Sequence, residues 1–142
     1  MNILTKRLLI SSMLGLLFGF LCFFGLTQSP ETPTAFTAWS YSNPMFWMVI
    51  LNRVILGAFV GISGFMTLHP MFKFRICPIF RGMKVGVTVS LLLAVGVFLS
   101  PESEGTWKAF WLILGAGAFY GAVIDIITTK YSGEGESLIV RK

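Results

Sequence analysis

The chain has 142 residues, of which 55% are hydrophobic and 12% charged, whereas a soluble domain usually carries about 25% charged residues. With a mean hydropathy of +0.80, it has too little polar surface for an ordinary soluble domain, and we predict a single membrane domain over residues 1–142. The net charge of +5 does not indicate nucleic-acid binding, because the basic residues flank apolar segments instead of sharing one polar face.

The first apolar run covers residues 8–26, contains no charged residue and follows Lys6 and Arg7. A signal peptide begins similarly, but its apolar part is only about 7–15 residues long and is followed by a cleavage site between small residues. This run is longer and no such site follows it promptly. We therefore predict a retained transmembrane helix.

Three further apolar runs are each about 18–25 residues long, which is enough for a helix to cross a bilayer. Asn43 and Pro44 are typical of a helix start, and His69 with Pro70 is expected to end the same helix. The prediction is an all-α polytopic membrane protein, an antiparallel bundle of four transmembrane helices with short loops. The predicted helices lie at about 8–26, 44–68, 82–99 and 107–129, followed by a polar cytoplasmic tail at 130–142.

The distribution of basic residues predicts the orientation. They are concentrated at the amino end, in the middle loop and in the tail, whereas the other two loops are mainly acidic. By the positive-inside rule, we expect an integral protein of the cytoplasmic (inner) membrane with both termini cytoplasmic. Residues 71–81 are expected to form an interfacial loop. The cations predicted to meet lipid headgroups are Lys73, Arg75, Arg81 and Lys84.

Glycines recur at short spacing within the predicted helices. Small residues let helix backbones approach closely in lipid, where apolar area alone gives helices no drive to associate. We expect these faces to pack the four helices together, and docking against a partner chain or a second copy is the alternative. The predicted packing glycines are Gly15, Gly19, Gly57, Gly61, Gly64, Gly115, Gly117 and Gly121, with Gly82 and Gly86 at the start of the third helix.

Arg53 is the one charge deep inside an apolar run, where an arginine costs roughly 2.5–3.5 kcal/mol to insert. The helical rise places it about 13 Å from the start of its helix, at the depth of Ser90 on the third helix. We expect a bond to Ser90, extended by Asn52, or a structural tie to Glu102 or Glu104. An anion or headgroup site is the functional alternative.

Asp125 is expected near the inner face, close to His69 or to Ser11 and Ser12. An Asp–His pair can relay protons, although an acid among basic neighbours is more often an anchor. No catalytic or metal-binding motif is present: GxSxG, HExxH and the P-loop are all missing. The sequence therefore predicts no catalytic residue, no metal site and no cofactor.

Two motifs carry a resemblance, NRxxLGxxxGIS over residues 52–63 and GxxYGxxID over residues 117–125. Together they resemble a pattern in small uncharacterised four-helix prokaryotic membrane proteins. The resemblance covers helices two to four and implies the same architecture. It brings no activity that transfers to this chain.

Three functions fit these observations, and the leading one is non-enzymatic. It is an accessory or structural subunit of a membrane complex, whose partners are membrane lipids and other integral membrane proteins or a second copy. The alternative is an oligomeric small transporter or channel, in which Arg53 meets an anion and Asp125 lines an inner vestibule. The third is a lipid-modifying enzyme that uses His69 and Asp125.

Overall fold

The computed structural model describes residues 2–28, 39–68, 76–99 and 106–138. Within these ranges, four long helices pack side by side as a bundle, and all four are long and apolar enough to cross a membrane. The predicted all-α, four-helix membrane architecture is confirmed. The helices are α1 (Ile3–Thr27), α2 (Pro44–Ser63), α3 (Pro78–Gly96) and α4 (Thr106–Ser132), with short 3₁₀ helices at Val97–Leu99 and Gly135–Leu138.

Successive helices run in opposite directions, so the bundle has two distinct ends. At the proximal end α1 and α3 begin and α2 and α4 finish. At the distal end the directions are reversed.

Prolines and one cap determine where α2 and α3 begin. The Asn43 side chain accepts a 3.1 Å hydrogen bond from the amide of Met45, and Pro44 occupies the first turn, as predicted. Pro78 occupies the first turn of α3 in the same way, so α3 starts before residue 82. As a result Arg81 belongs to the first turn of a helix and not to an interfacial loop.

Helix α2 is shorter than the sequence indicates, because it ends at Ser63 and not near Leu68. The amides of residues 65–66 donate to carbonyls three residues earlier, so the chain leaves the α-helical pattern in a tight turn. This turn contributes carbonyl groups to the interior of the proximal end.

Helix α4 is longer than expected and continues past Thr129 to Ser132. Gly133 and Gly135 then adopt positive φ values of 73° and 65°, which glycine accommodates without strain. These two residues fold the chain back under the bundle, so that the Leu138 side chain is only 2% exposed. The segment predicted as a polar tail thus begins as helix and then packs against the bundle.

Glycine brings α1 and α2 into direct backbone contact. A Cβ on Gly15 would overlap the carbonyl oxygen of Arg53, and one on Gly57 would overlap that of Ser11. Across the bundle, α3 and α4 approach in the same manner, with Gly82 opposite Gly121. The bundle is therefore built from two closely packed helix pairs.

Eight glycines outside the third helix were predicted to pack helices, and the structure separates them into three groups. Gly64 packs against the Arg7 guanidinium, where a Cβ would clash. Gly115 is the exception, since a Cβ there would find nothing within 4 Å. It lies on the outer face of α4 and does not pack the bundle. The predicted backbone packing is present at Gly15, Gly19, Gly57, Gly61, Gly117 and Gly121.

Alanine substitution at two glycines of α3 tests this packing. Gly86→Ala places a methyl group against the backbone of Gly117, and we expect a loss of about 1–3 kcal/mol in the free energy of unfolding. Gly96→Ala is the matched control, because a Cβ there has nothing within 4 Å. It should be neutral or stabilising by up to about 1 kcal/mol. Denaturant titration in micelles measures both, and equal effects would contradict the close approach.

Candidate functional site

The first buried polar centre surrounds Arg53, whose side chain is 1% exposed. Its NH1 group donates 2.6 Å to the hydroxyl of Ser90 and 3.3 Å to the carbonyl oxygen of the Asn52 side chain. Asn52 in turn donates 3.1 Å to the backbone carbonyl of Val89. The predicted contact between Arg53 and Ser90 is present, and Asn52 extends it as expected.

Two further groups complete the surroundings of this guanidinium. Its carbon atom lies 5.3 Å from the ring centre of Tyr120, over the face, where the ring quadrupole attracts a cation. Its NH2 group lies 3.7 Å from the sulfur of Cys22. Tyr120 thus brings α4 into contact with the guanidinium of Arg53.

Arg53 has no acidic partner among the described residues, where no carboxylate lies within 4 Å of its guanidinium. Its Nε also lacks a hydrogen-bond partner there. The predicted alternatives Glu102 and Glu104 lie outside the described residues. Among the described residues this buried cation has only neutral partners, and an intramembrane charge is a candidate functional site.

The second buried polar centre lies at the proximal end, and Arg7 forms part of it. Its side chain is fully buried, and its NH2 group donates 2.6 Å to Oδ1 of Asp125. Its Nε donates 3.0 Å to the carbonyl of Gly61, and its NH1 bonds to Thr129 and to the carbonyl of Gly133. All three guanidinium nitrogens therefore have partners.

Arg81 approaches the same carboxylate from α3. Its Nε and NH2 groups donate 2.8 Å and 2.9 Å to Oδ2 and Oδ1 of Asp125, which is the two-pronged geometry that a guanidinium favours. Its NH1 group lies 3.0 Å from Oε2 of Glu134. The hydroxyl of Thr129 donates 3.2 Å to Oδ1 of Asp125. Two arginines and two acids thus balance in charge, and they link α1, α3 and α4.

Two predictions about this centre were wrong. Arg81 is 4% exposed and bound to Asp125, so it does not contact lipid headgroups. Asp125 is fully buried between the two arginines, so it does not line an open vestibule. It also does not bond to Ser11, whose hydroxyl donates to the carbonyl of Leu8.

The remaining predicted site residues are Lys84, His69, Lys73 and Arg75. Lys84 is exposed on α3, as a headgroup contact requires. His69, Lys73 and Arg75 lie outside the described residues. Within the described ranges, no group of three or more His, Cys, Asp or Glu side chains is placed to hold a metal ion.

Sequence reasoning missed Arg7 as a site residue and treated it only as an orientation signal. A detectable signal was present, because the buried positions of α1 are spaced four residues apart. That spacing defines a single helical face. Arg7 therefore lies on the same face of α1 as the small residues that pack against α2. The members of this face are Arg7, Ser11, Gly15, Gly19 and Phe23.

No family model, curated protein or solved structure matches this chain. The resemblance to small four-helix prokaryotic membrane proteins therefore stays a prediction.

The adjacent basic residues Lys6 and Arg7 allow a matched test of the proximal centre. Arg7→Gln removes one buried partner of Asp125, and breaking such a pair usually costs about 3–5 kcal/mol. Lys6→Gln makes the same change in charge at an exposed position, so we expect a loss within about 0.5 kcal/mol. Unfolding in micelles measures both, and similar losses would show that the Arg7–Asp125 bond contributes little.

Proposed function

We propose that this protein is a small integral subunit of a membrane complex, with a structural or interaction role and no chemistry of its own. The support comes from where its polar groups point. The strongest donors and acceptors of the described interior bind other parts of the same chain, as the Arg7–Asp125–Arg81 cluster illustrates. What the helices offer outward is mainly apolar, so recognition has to use that surface.

Gly115 is the observation that carries this proposal. It is exposed on α4, a Cβ there would meet nothing within 4 Å, and large exposed side chains stand beside it. Such a notch lets the backbone of another helix approach closely, which is how small residues promote association in lipid. The flanking side chains are Trp111, Leu112 and Phe119, exposed by 64%, 62% and 63%.

We further propose that the complex resides in the cytoplasmic membrane, with both termini and the proximal end on the cytoplasmic side. The basic residues near the chain termini and in the middle loop favour this orientation. Exposed aromatic residues at the distal end, including Trp47 and Trp107, suit a second membrane interface.

Protease digestion of membrane vesicles tests this orientation. Protease should remove a carboxy-terminal tag from inverted membrane vesicles and leave it intact in right-side-out vesicles.

Leucine substitution at Gly115 tests the interaction role. We expect the tagged protein, purified in mild detergent, to retain a stoichiometric membrane-protein companion or a second copy. Gly115→Leu fills the notch and should lower the recovery of the companion by about tenfold, which corresponds to a loss of about 1.4 kcal/mol in the free energy of association. Gly25→Leu is the control, since Gly25 is also exposed and has nothing within 4 Å of a Cβ.

Mass spectrometry identifies the companion, and native electrophoresis gives the size of the complex. A monomer without companions, or equal recovery with Gly115→Leu, would contradict the proposal.

One observation favours a second candidate, an oligomeric transporter or channel for a small anion. Arg53 has an unpartnered Nε and no acidic partner among the described residues. A positive charge of this kind attracts an anion. The surrounding Ser90 hydroxyl and Tyr120 ring belong to α3 and α4, so an anion there would lie between the two helix pairs.

Halide flux in liposomes tests this candidate. If it is right, the purified protein gives flux above that of empty liposomes, and Arg53→Gln abolishes the flux because the attracting charge is lost. Lys84→Gln is the control, since it removes an equal charge from an exposed position on α3. No flux, or flux that survives Arg53→Gln, would rule out this use of Arg53.

A further inference from the structure

The proximal centre is completed by a short segment that follows α4. This closing segment, Gly133–Leu138, supplies the carbonyl of Gly133 to Arg7 and the carboxylate of Glu134 to Arg81. The amide of Gly135 donates 2.9 Å to the carbonyl of Gly64, and Leu138 is buried. The segment therefore covers the two arginines from the proximal end.

The closing segment binds the same nitrogen, NH1, on both arginines. Asp125 takes the remaining charged contacts, with NH2 of Arg7 and with Nε and NH2 of Arg81. Without the segment, NH1 of Arg7 would keep only its contact with the Thr129 hydroxyl, and NH1 of Arg81 would keep only a 3.4 Å contact with the carbonyl of Met66. Two guanidinium groups would then share one carboxylate, leaving one uncompensated positive charge.

An oxyanion is the ligand that fits such a pair of donors. Guanidinium groups recognise phosphate through several parallel N–H bonds. The site lies towards the proximal ends of the apolar helices, where we expect phospholipid headgroups. Glu134, with its side chain 11% exposed, places a carboxylate where a phosphate oxygen would bind.

We propose that Arg7 and Arg81 form a phosphate-binding site that Glu134 occupies as an internal ligand. A phosphate group takes its place when the closing segment swings away. The group is presented either by an anionic lipid headgroup or by a soluble phosphate. This inference goes beyond the interaction role and does not depend on it, because it concerns the isolated protein.

Nanodiscs of phosphatidylcholine, with or without phosphatidic acid, provide the test, and native mass spectrometry measures the retained lipid. Glu134→Gln removes the internal carboxylate at constant size. If the site is open about a tenth of the time in the native protein, the apparent affinity for phosphatidic acid should rise by about tenfold. Adding Arg81→Lys to the Glu134→Gln protein keeps the charge but removes the two-pronged guanidinium, so it should cancel the gain in affinity.

A second variant separates displacement of the segment from a change in charge. Leu138→Ser weakens the docking of the segment and leaves every charge in place, so it should also raise phosphatidic acid retention. Tyr131→Ser is the control, because Tyr131 precedes the segment and is 62% exposed. It should leave retention unchanged.

A competition arm distinguishes the two sources of phosphate. If inorganic phosphate does not displace the retained lipid, a headgroup is the ligand. If it stabilises the Glu134→Gln protein thermally and displaces the lipid, the site is supported with a soluble ligand. Unchanged retention in both Glu134→Gln and Leu138→Ser, together with no response to inorganic phosphate, would overturn the proposal.

Discussion

Asp125 holds the bundle together at one end, because its carboxylate bonds to two buried guanidinium groups from different helices. A charge removed from water without partners is costly, so helices α1, α3 and α4 must meet where that carboxylate is. The position is narrowly defined, because Arg81 uses a two-pronged geometry and Arg7 adds a third bond to the same group. Gly64 is small enough to leave room for the Arg7 side chain against the end of α2.

Backbone contact and buried charge specify different parts of this fold. Glycines define two tight helix pairs, α1 with α2 and α3 with α4, but close packing alone does not dictate how the pairs face each other. The polar centres supply that information. Arg53 reaches from the first pair to Ser90 and Tyr120 of the second, and Arg7 reaches from the first pair to Asp125. Each pair is thus joined to the other at two depths.

The sequence predicted those features that depend on one rigid helix or on a constant rise. The start of α2 followed from Asn43 and Pro44, and the meeting of Arg53 with Ser90 followed from counting depth along ideal helices. The sequence did not predict the partners of Asp125, because 118 residues separate Asp125 from Arg7. An arginine beside an apolar run also has the same sequence appearance whether it points to headgroups or folds inward. Gly115 and Gly117 differ by two positions yet lie on different faces of α4, and nothing in an almost uniformly apolar helix distinguishes those faces.

The separation of Arg7 and Asp125 along the chain also determines when during synthesis their bond can form. Asp125, the carboxylate partner of Arg7, is made 118 residues after it. At a synthesis rate of about 5–20 residues per second, the arginine waits about 6–24 s for that partner. Throughout this interval a charge destined for the protein interior must stay hydrated at the membrane surface. The bond between α1 and α4 through Arg7 and Asp125 therefore forms late, after α4 has been made, whereas the glycine contacts between α1 and α2 can form earlier.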